Sequence, residues 1–427
     1  MAGSVAGERM DHAVNWPPQQ DHALRTVSTW MRTPSAPQVL YLAGYAGTGK
    51  STLAKHLVMG AKQRWLFGAY TGKAAYVMRQ KGCADVATLH SLIYAPAGES
   101  KGSEIAALEE RLTGETDAAK RDAIIQQLRE MRAASQPVFS LWDHGSPLAH
   151  PDCAGIVVDE VSMVGEDLGR DLETFGKKIL VLGDPFQLPP VRGSGYFTAR
   201  DPDVLLTEIH RQARDSGVLR LATHIRGGGD VATFDSAPDA LITRAPRVHG
   251  RRAISKADLA ERALAADQVL VGLNKTRHAL NRRIRELKGR TSELPCAEDR
   301  VICLRNDREA GLLNGSQWIV TEADCAAGAP TADLALRSDD EDDDRTFRGE
   351  AWLHYFRGRG EDIAAMGQGR RRHAEFDYAE AITCHKAQGS QYKRVLVIDE
   401  SRSFRADARR WLYTATTRAA NHVEVLT

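Results

Sequence analysis

The stretch that most narrows what this chain can fold into is Gly44-Tyr45-Ala46-Gly47-Thr48-Gly49-Lys50-Ser51. It sits inside "QVLYLAGYAGTGKSTLAKHL" (38–57), which reads as a strand, a glycine-rich loop and a helix. G-x-x-x-x-G-K-S in that setting is a phosphate-binding loop. The glycines let backbone N–H groups approach phosphate oxygens, and the helix start adds its dipole. Lys50 reaches the β- and γ-phosphates, and Ser51 ligates Mg²⁺. Gly47, Thr48, Gly49, Lys50, Ser51 and Thr52 are the expected nucleotide-binding residues, with ATP and Mg²⁺ as the expected ligands.

The rhythm of that segment recurs. "RWLFGAYTGKAAYVMRQKG" (64–82) is again strand, loop and helix, while "AGIVVDEVSMV" (154–164) and "KILVLGDPFQLPP" (178–190) are strands rich in Val, Ile and Leu with polar ends. "DQVLVGLNKTRHALNRRIREL" (267–287) and "KRVLVIDE" (393–400) supply strands to the second half. Continuous apolar strands of this kind are buried on both faces of a parallel sheet, and its chemistry gathers at the carboxyl ends. Two α/β domains are therefore expected, and 427 residues exceed what one ordinary core accommodates.

Two segments break the rhythm. Residues 104–134 have helical spacing in two runs separated by Gly114 and Thr116-Asp117, which predicts a helical hairpin. Residues 296–376 look like short strands joined by turns, a small β-barrel module in which the acidic run Asp339 to Asp344 is a solvated turn.

Charge and cysteine usage exclude some classes. Lys+Arg (57) balances Asp+Glu (56), so no global positive field binds polyanions, although a local basic channel is compatible with that balance. The six cysteines form no C-x-x-C pair or Cys/His cluster, which fits reduced thiols in a cytoplasm better than disulfides or zinc. No apolar stretch reaches 18 residues, so no membrane association is expected.

Asp159-Glu160 closes the strand "GIVVDE", where Asp159 can hold Mg²⁺ through water and Glu160 can orient and deprotonate an attacking water. Further on, Pro185, Pro189 and Pro190 stiffen the chain around the amide of Gln187. With only one phosphate loop present, the second α/β domain needs another purpose. Arg211 in "TEIHRQ" and Arg418 in "YTATTRAA" suggest one: guanidinium groups facing a nucleotide bound between the domains.

In order, the chain shows "WPPQQDHAL", "GYAGTGKS", "YTGKAA", "TLHSLIY", "VVDEVSMV", "LGDPFQLPPV", "TEIHRQ", "AITCHKAQGSQY" and "LYTATTRA". This series resembles the superfamily 1 DNA helicases of the RecD/Dda-like branch, from about residue 16 to 420. The resemblance implies an α/β fold of two RecA-like P-loop motor domains with parallel sheets, a helical or pin-bearing 1B insert and an SH3-like β-barrel 2B insert. Motor domain 1A would be 1–95 and 150–203, insert 1B 96–149, motor domain 2A 204–295 and 377–427, and insert 2B 296–376. It implies Gln20 as the adenine reader and Gln187 as the γ-phosphate contact. Arg211 and Arg418 become the arginine fingers. Lys386, Gly389 and Ser390 form a loop meeting both DNA backbone and nucleotide edge, while Thr71, Lys73 and His90 face DNA from the first domain. The insert departs from the family pattern, since only "PVFSLWDHGSPL" (137–148), with Phe139, Leu141 and Trp142, is left to form a strand-splitting pin.

The expected activity is ATP-driven movement along single-stranded DNA and unwinding of a duplex with a single-stranded tail. The resemblance implies a 5′→3′ direction. A monomer is expected, in the cytoplasm (the host's, if the chain is phage-encoded), working with single-strand-binding or replication and recombination proteins. Two other readings stay open. One is a helicase-like subunit of a recombination nuclease complex; the other is a P-loop switch that binds ATP and a protein without moving on nucleic acid. The paired arginines and the "HKAQGSQY" loop argue against the switch.

Overall fold

The computed structural model describes residues 16–95, 140–141, 145–190, 195–209, 215–245, 247–248, 251–252, 255–307, 310–326, 328–340, 343–364 and 373–427. Three sheets organise them. The first has six parallel strands in the order Val86–Thr88, Arg64–Ala69, Cys153–Asp159, Lys178–Gly183, Val39–Gly44, Val204–Leu206. Five of the six residues in Val39–Gly44, Arg64–Ala69 and Lys178–Gly183 are buried. Those runs are apolar because helices cover both faces of a parallel sheet. One core layer includes Leu42, Leu53, Trp65 and Leu180, and the other includes Tyr41, Leu66, Ile156 and Val181.

The second sheet is also wholly parallel, in the order Ala381–Thr383, Gln268–Val271, Tyr392–Ile398, Ala419–Leu426, Ala240–Thr243. Helices Gly217–Arg226 and Ala408–Thr416 pack on it around the buried Trp411. Between its strands in sequence lies an antiparallel five-stranded sheet, ordered Thr346–Trp352, Thr331–Ser338, Gln317–Asp324, Arg300–Cys303, Phe376–Tyr378. A bulge between Val320 and Glu322 bends it over Trp318, which is fully buried.

Among the described residues of the acidic run, Asp339, Asp340 and Asp343 are paired, in place of the expected solvated turn. Asp339 pairs with Arg300 at 2.9 Å, Asp340 with Lys73 at 2.6 Å, and Asp343 with Arg345 at 2.6 Å. Burial alone would raise the carboxyl of Asp343. The Arg345 guanidinium and Ser338 hydroxyl that bond it outweigh this and bring it down to about 2. The same arginine lies 4.6 Å above the Tyr76 ring, so this turn seats the antiparallel sheet on helix Gly72–Gln80 of the first sheet.

The expected helical hairpin at 104–134 lies outside the described residues, as do Phe139 and Trp142 of the expected pin. Ser140–Leu141 is described and pairs antiparallel with Tyr94–Ala95. Among the described residues no helix is long and apolar enough to cross a membrane.

Candidate active site

All six strands of the first sheet run the same way, so their carboxyl ends bring Gly44, Ala69, Thr88, Asp159, Gly183 and Leu206 to one edge. The phosphate loop leaves Gly44 there. Gly47 and Gly49 adopt left-handed φ of 78° and 80°, a conformation that favours glycine, and Gly49 caps helix Lys50–Met59. A Cβ on Gly47 would stand 2.9 Å from Leu219 Cδ1, so helix Gly217–Arg226 of the second sheet lies directly on the loop. Lys50 Nζ donates to the Gly44 and Tyr45 carbonyls at 2.5 and 3.2 Å, which holds the ammonium over the loop. Buried Gln20 donates from Nε2 to the Thr48 carbonyl at 2.8 Å. Thr52 is exposed on the first helical turn.

Ser51 Oγ donates to Asp159 Oδ2 at 2.7 Å. A hydroxyl beside a carboxylate is a hard, all-oxygen donor pair, and it fits Mg²⁺ rather than a softer metal. Glu160 follows with φ 52° and ψ 42°, its N–H bonded to Asp159 Oδ1 at 2.8 Å. A left-handed non-glycine residue carries strain that the surroundings must hold, and such strain clusters at functional sites.

The turn after Gly183 supplies the next part. Asp184 Oδ1 accepts the Phe186 N–H at 2.9 Å and its carbonyl accepts the Gln187 N–H at 3.1 Å, closing the turn that Pro185 begins. Gln187 is 9% exposed. Its amide is oriented from its neighbours: Nε2 donates to Glu160 Oε2 at 3.0 Å and Oε1 accepts from Arg418 Nη2 at 3.3 Å. One amide thus joins a carboxylate of the first sheet to a guanidinium of the second.

Arg418 is 4% exposed and anchored by its own side: Nε donates to Thr414 O at 3.2 Å and Nη1 to Ser390 O at 3.3 Å. Arg211, the other sequence-predicted finger, lies outside the described residues. Burial pushes Glu160 above the usual carboxylate range. Arg418 and Lys50 oppose that rise, and Asp159 and Asp184 add to it. A carboxylate with a raised pKa is a better proton acceptor at neutral pH.

The sequence-predicted DNA-facing residues gather beside this cleft. Gly389 has φ 76°, and a Cβ there would lie 3.3 Å from Ala74 Cβ and 3.8 Å from Thr71 Oγ1. The 384–390 loop therefore meets the N-terminus of helix Gly72–Gln80, where Thr71 Oγ1 accepts the Ala74 N–H at 3.1 Å. Lys386 is half-buried, and that burial pushes its ammonium down to about 8; Asp377 opposes the shift and Arg277 adds to it. His90 is exposed, its ring 6.0 Å from Tyr70 and 5.8 Å from Tyr94. Lys73 is held by Asp340.

Several residues of the cleft went unread in the sequence. Tyr413 donates to Asp184 Oδ2 at 2.5 Å and accepts from the phosphate-loop Ala46 N–H at 3.1 Å. Thr414 Oγ1 accepts the Leu188 N–H at 2.9 Å, and Gln388 donates to Leu188 O at 3.0 Å. Arg226 stacks 3.5 Å over the Tyr45 ring. Gln19 accepts from the Thr207 and Glu208 N–H groups, both at 2.8 Å. Tyr413 and Thr414 stand in "LYTATTRA" and Asp184 in "LGDPFQLPPV", so a motif position flagged each one without revealing its partner.

Comparisons with known proteins identify the family and the fold. A family model described as an AAA domain matches residues 17–243, and one described as a UvrD-like helicase C-terminal domain matches 378–426. The chain is 29% identical, over 91% of its length, to the RecBCD enzyme subunit RecD of Mycobacterium tuberculosis strains CDC 1551 and H37Rv, and spans 66% of those relatives' length. Two solved structures share the fold. The Pif1 helicase from Candida albicans has a TM-score of 0.51 at 16% identity, covering 96% of this chain and 94% of its own. A Pif1 helicase studied at forked duplex DNA has a TM-score of 0.50 at 17% identity, covering 96% and 92%.

Proposed function

The chain belongs to the AAA-domain family that matches residues 17–243, among the superfamily 1 RecD/Pif1-like helicases, and from that premise we propose that it is an ATP-driven DNA helicase. The observation that carries this reading is the Gln187 amide bridging Glu160 and Arg418, because it makes one cleft answer to both parallel sheets.

The phosphate-loop amides and Lys50 bind the triphosphate, and Gln20 steadies the loop from below. Ser51 and Asp159 would hold Mg²⁺, which supplies charge neutralisation on the phosphate oxygens when bound. Glu160 orients the attacking water and takes its proton. Arg418 faces the charge that develops on the transferring phosphoryl, with Arg211 as its proposed companion. Gln187 relays between base and finger, so loss of a phosphate is felt as a change in how the two sheets meet.

The 384–390 loop and the Thr71 helix start carry that change to single-stranded DNA through backbone-directed, sequence-tolerant contacts from Thr71, Lys73, Lys386 and Ser390. His90 is proposed to flank the same strand, and Gly389 to sit at the nucleotide's edge. The reading also proposes the domain divisions at 95/96, 149/150, 203/204, 295/296 and 376/377, a barrel-like 2B module and a 5′→3′ direction. The setting would be cytoplasmic, with a tailed duplex as substrate.

Unwinding of 5′-tailed against 3′-tailed duplexes with ATP and Mg²⁺ tests this. The 5′-tailed substrate is expected to be opened, with ATP hydrolysis stimulated by single-stranded DNA. Hydrolysis indifferent to DNA would refute the motor. Similarity to a protein named as a RecBCD subunit favours a second reading, in which this motor works inside a larger nuclease assembly. Co-purification with a nuclease chain would support it.

A further inference from the structure

Helix Ala408–Thr416 and the residues just beyond it touch the catalytic turn at three places, and only Arg418 belongs to the sequence-derived site. Thr414 receives the Leu188 N–H. The third contact, Tyr413, is the most informative. Its side chain is 1% exposed and its ring lies edge-on to Phe186, centroids 5.2 Å apart at 85°. Its hydroxyl accepts from a phosphate-loop amide, Ala46 N–H, and donates to Asp184, the residue that shapes the Gln187 turn.

Both partners fix the direction of these bonds. The Ala46 N–H can only donate, so the Tyr413 oxygen must accept there. Burial, and the Asp184 carboxylate beside it, hold the phenol well above its ordinary pKa, so the hydroxyl keeps its proton for Asp184. Asp184 is itself 3% exposed, and a buried carboxylate that loses a donor is costly. The neighbouring loop residue Tyr45 is gripped from the same side by Arg226. The second sheet therefore grips the phosphate loop at Tyr45 and Ala46, and among the described residues Tyr413 is bonded both to that loop and to the turn carrying Gln187.

We propose that Tyr413 is a positioning residue for ATP hydrolysis: its hydroxyl sets the phosphate loop and the Gln187 turn in register through Ala46 and Asp184. It touches neither the reacting atoms nor Glu160, and acts through Gln187. The inference rests on the ATP-hydrolysing reading of the cleft.

The test is Tyr413→Phe, which keeps the ring against Phe186 and removes only the hydroxyl, measured with Gln187→Ala and the double variant. In the otherwise unchanged chain kcat is expected to fall about tenfold, with KM for ATP within about twofold, because ground-state contacts with ATP are retained. In the Gln187→Ala background the same substitution is expected to change kcat less than about twofold, since the element it positions is gone. Unchanged kcat for Tyr413→Phe, or an equal proportional loss in both backgrounds, would overturn the proposal. Should Tyr413→Phe fail to fold, Asp184→Asn reads the same link from its other end with the same expected dependence on Gln187. A chain whose hydrolysis ignores DNA would remove the motor reading, yet the comparison is still scored on its basal rate. A chain without ATP hydrolysis overturns both.

Discussion

Gln187→Ala isolates one of the contacts that join the two sheets, the one that reaches Glu160. The amide makes two hydrogen bonds to ionisable partners, at 3.0 Å to Glu160 and 3.3 Å to Arg418. Bonds to charged groups contribute about 1.5–3 kcal/mol, and the longer one lies at the weak end of hydrogen-bond geometry. Taking about 2 kcal/mol for the first and about 1 for the second gives about 3 kcal/mol if both are realised in the transition state. At about 1.4 kcal/mol per decade, kcat should fall on the order of a hundredfold. The KM for ATP should barely move, because Lys50 and the loop amides are untouched. Steady-state hydrolysis at saturating single-stranded DNA reads both constants. Gln187→Glu supplies a second arm: a new carboxylate against Glu160 disfavours its ionisation further. Glu160 must be unprotonated to accept a proton, so the acid limb of kcat should move to higher pH. A raised KM with unchanged kcat, and an unmoved limb, would show that the amide serves binding alone.

Two further outcomes follow from charges beside the cleft. Lys386 is pushed down to about 8, so it is cationic below that pH and loses its charge above it. Affinity for single-stranded DNA should weaken as pH rises from 7 to 9, and Lys386→Arg should abolish that dependence in a fluorescence anisotropy titration. Lys73 is paired with Asp340, the two side chains 17% and 26% exposed, so on the proposed reading the acid would compete with DNA phosphate for it. Asp340→Asn should tighten single-stranded DNA binding by up to about fivefold at low salt, the scale of a partly exposed ion pair, with the gain fading as salt is added.

The parts legible in the sequence are those whose physics is local. Parallel strands buried on both faces leave unbroken apolar runs, so Val39–Gly44, Arg64–Ala69, Cys153–Asp159 and Lys178–Gly183 could be located from composition alone. The glycines of the phosphate loop are dictated by backbone conformation at Gly47 and Gly49. The prolines around Gln187 announce that its amide is held still. The acidic run misled because a cluster of aspartates is usually solvated. Its actual partner for Asp340, Lys73, is 267 residues away, and no local pattern encodes that distance. Gln19 and Gln20 show the same limit in miniature. Neighbours on one helix face directions about 100° apart, so Gln20 reaches the phosphate loop while Gln19 grips Thr207 and Glu208.

Tyr413 shows why the remaining distance matters for function. It lies 229 residues from Asp184, so neither residue carries a signal that names the other. Yet Tyr413 and Thr414 lie in the last turns of helix Ala408–Thr416 and Arg418 follows just past its end, and each meets a different point on the first sheet's loops. A shift of that helix end alters the three contacts together, because Tyr413, Thr414 and Arg418 are carried on one short continuous segment. The phosphate loop, the Leu188 backbone and the Gln187 amide therefore experience a single displacement. On the proposed reading, coupling in this cleft needs only these three short-range bonds on one short segment, with no longer pathway required.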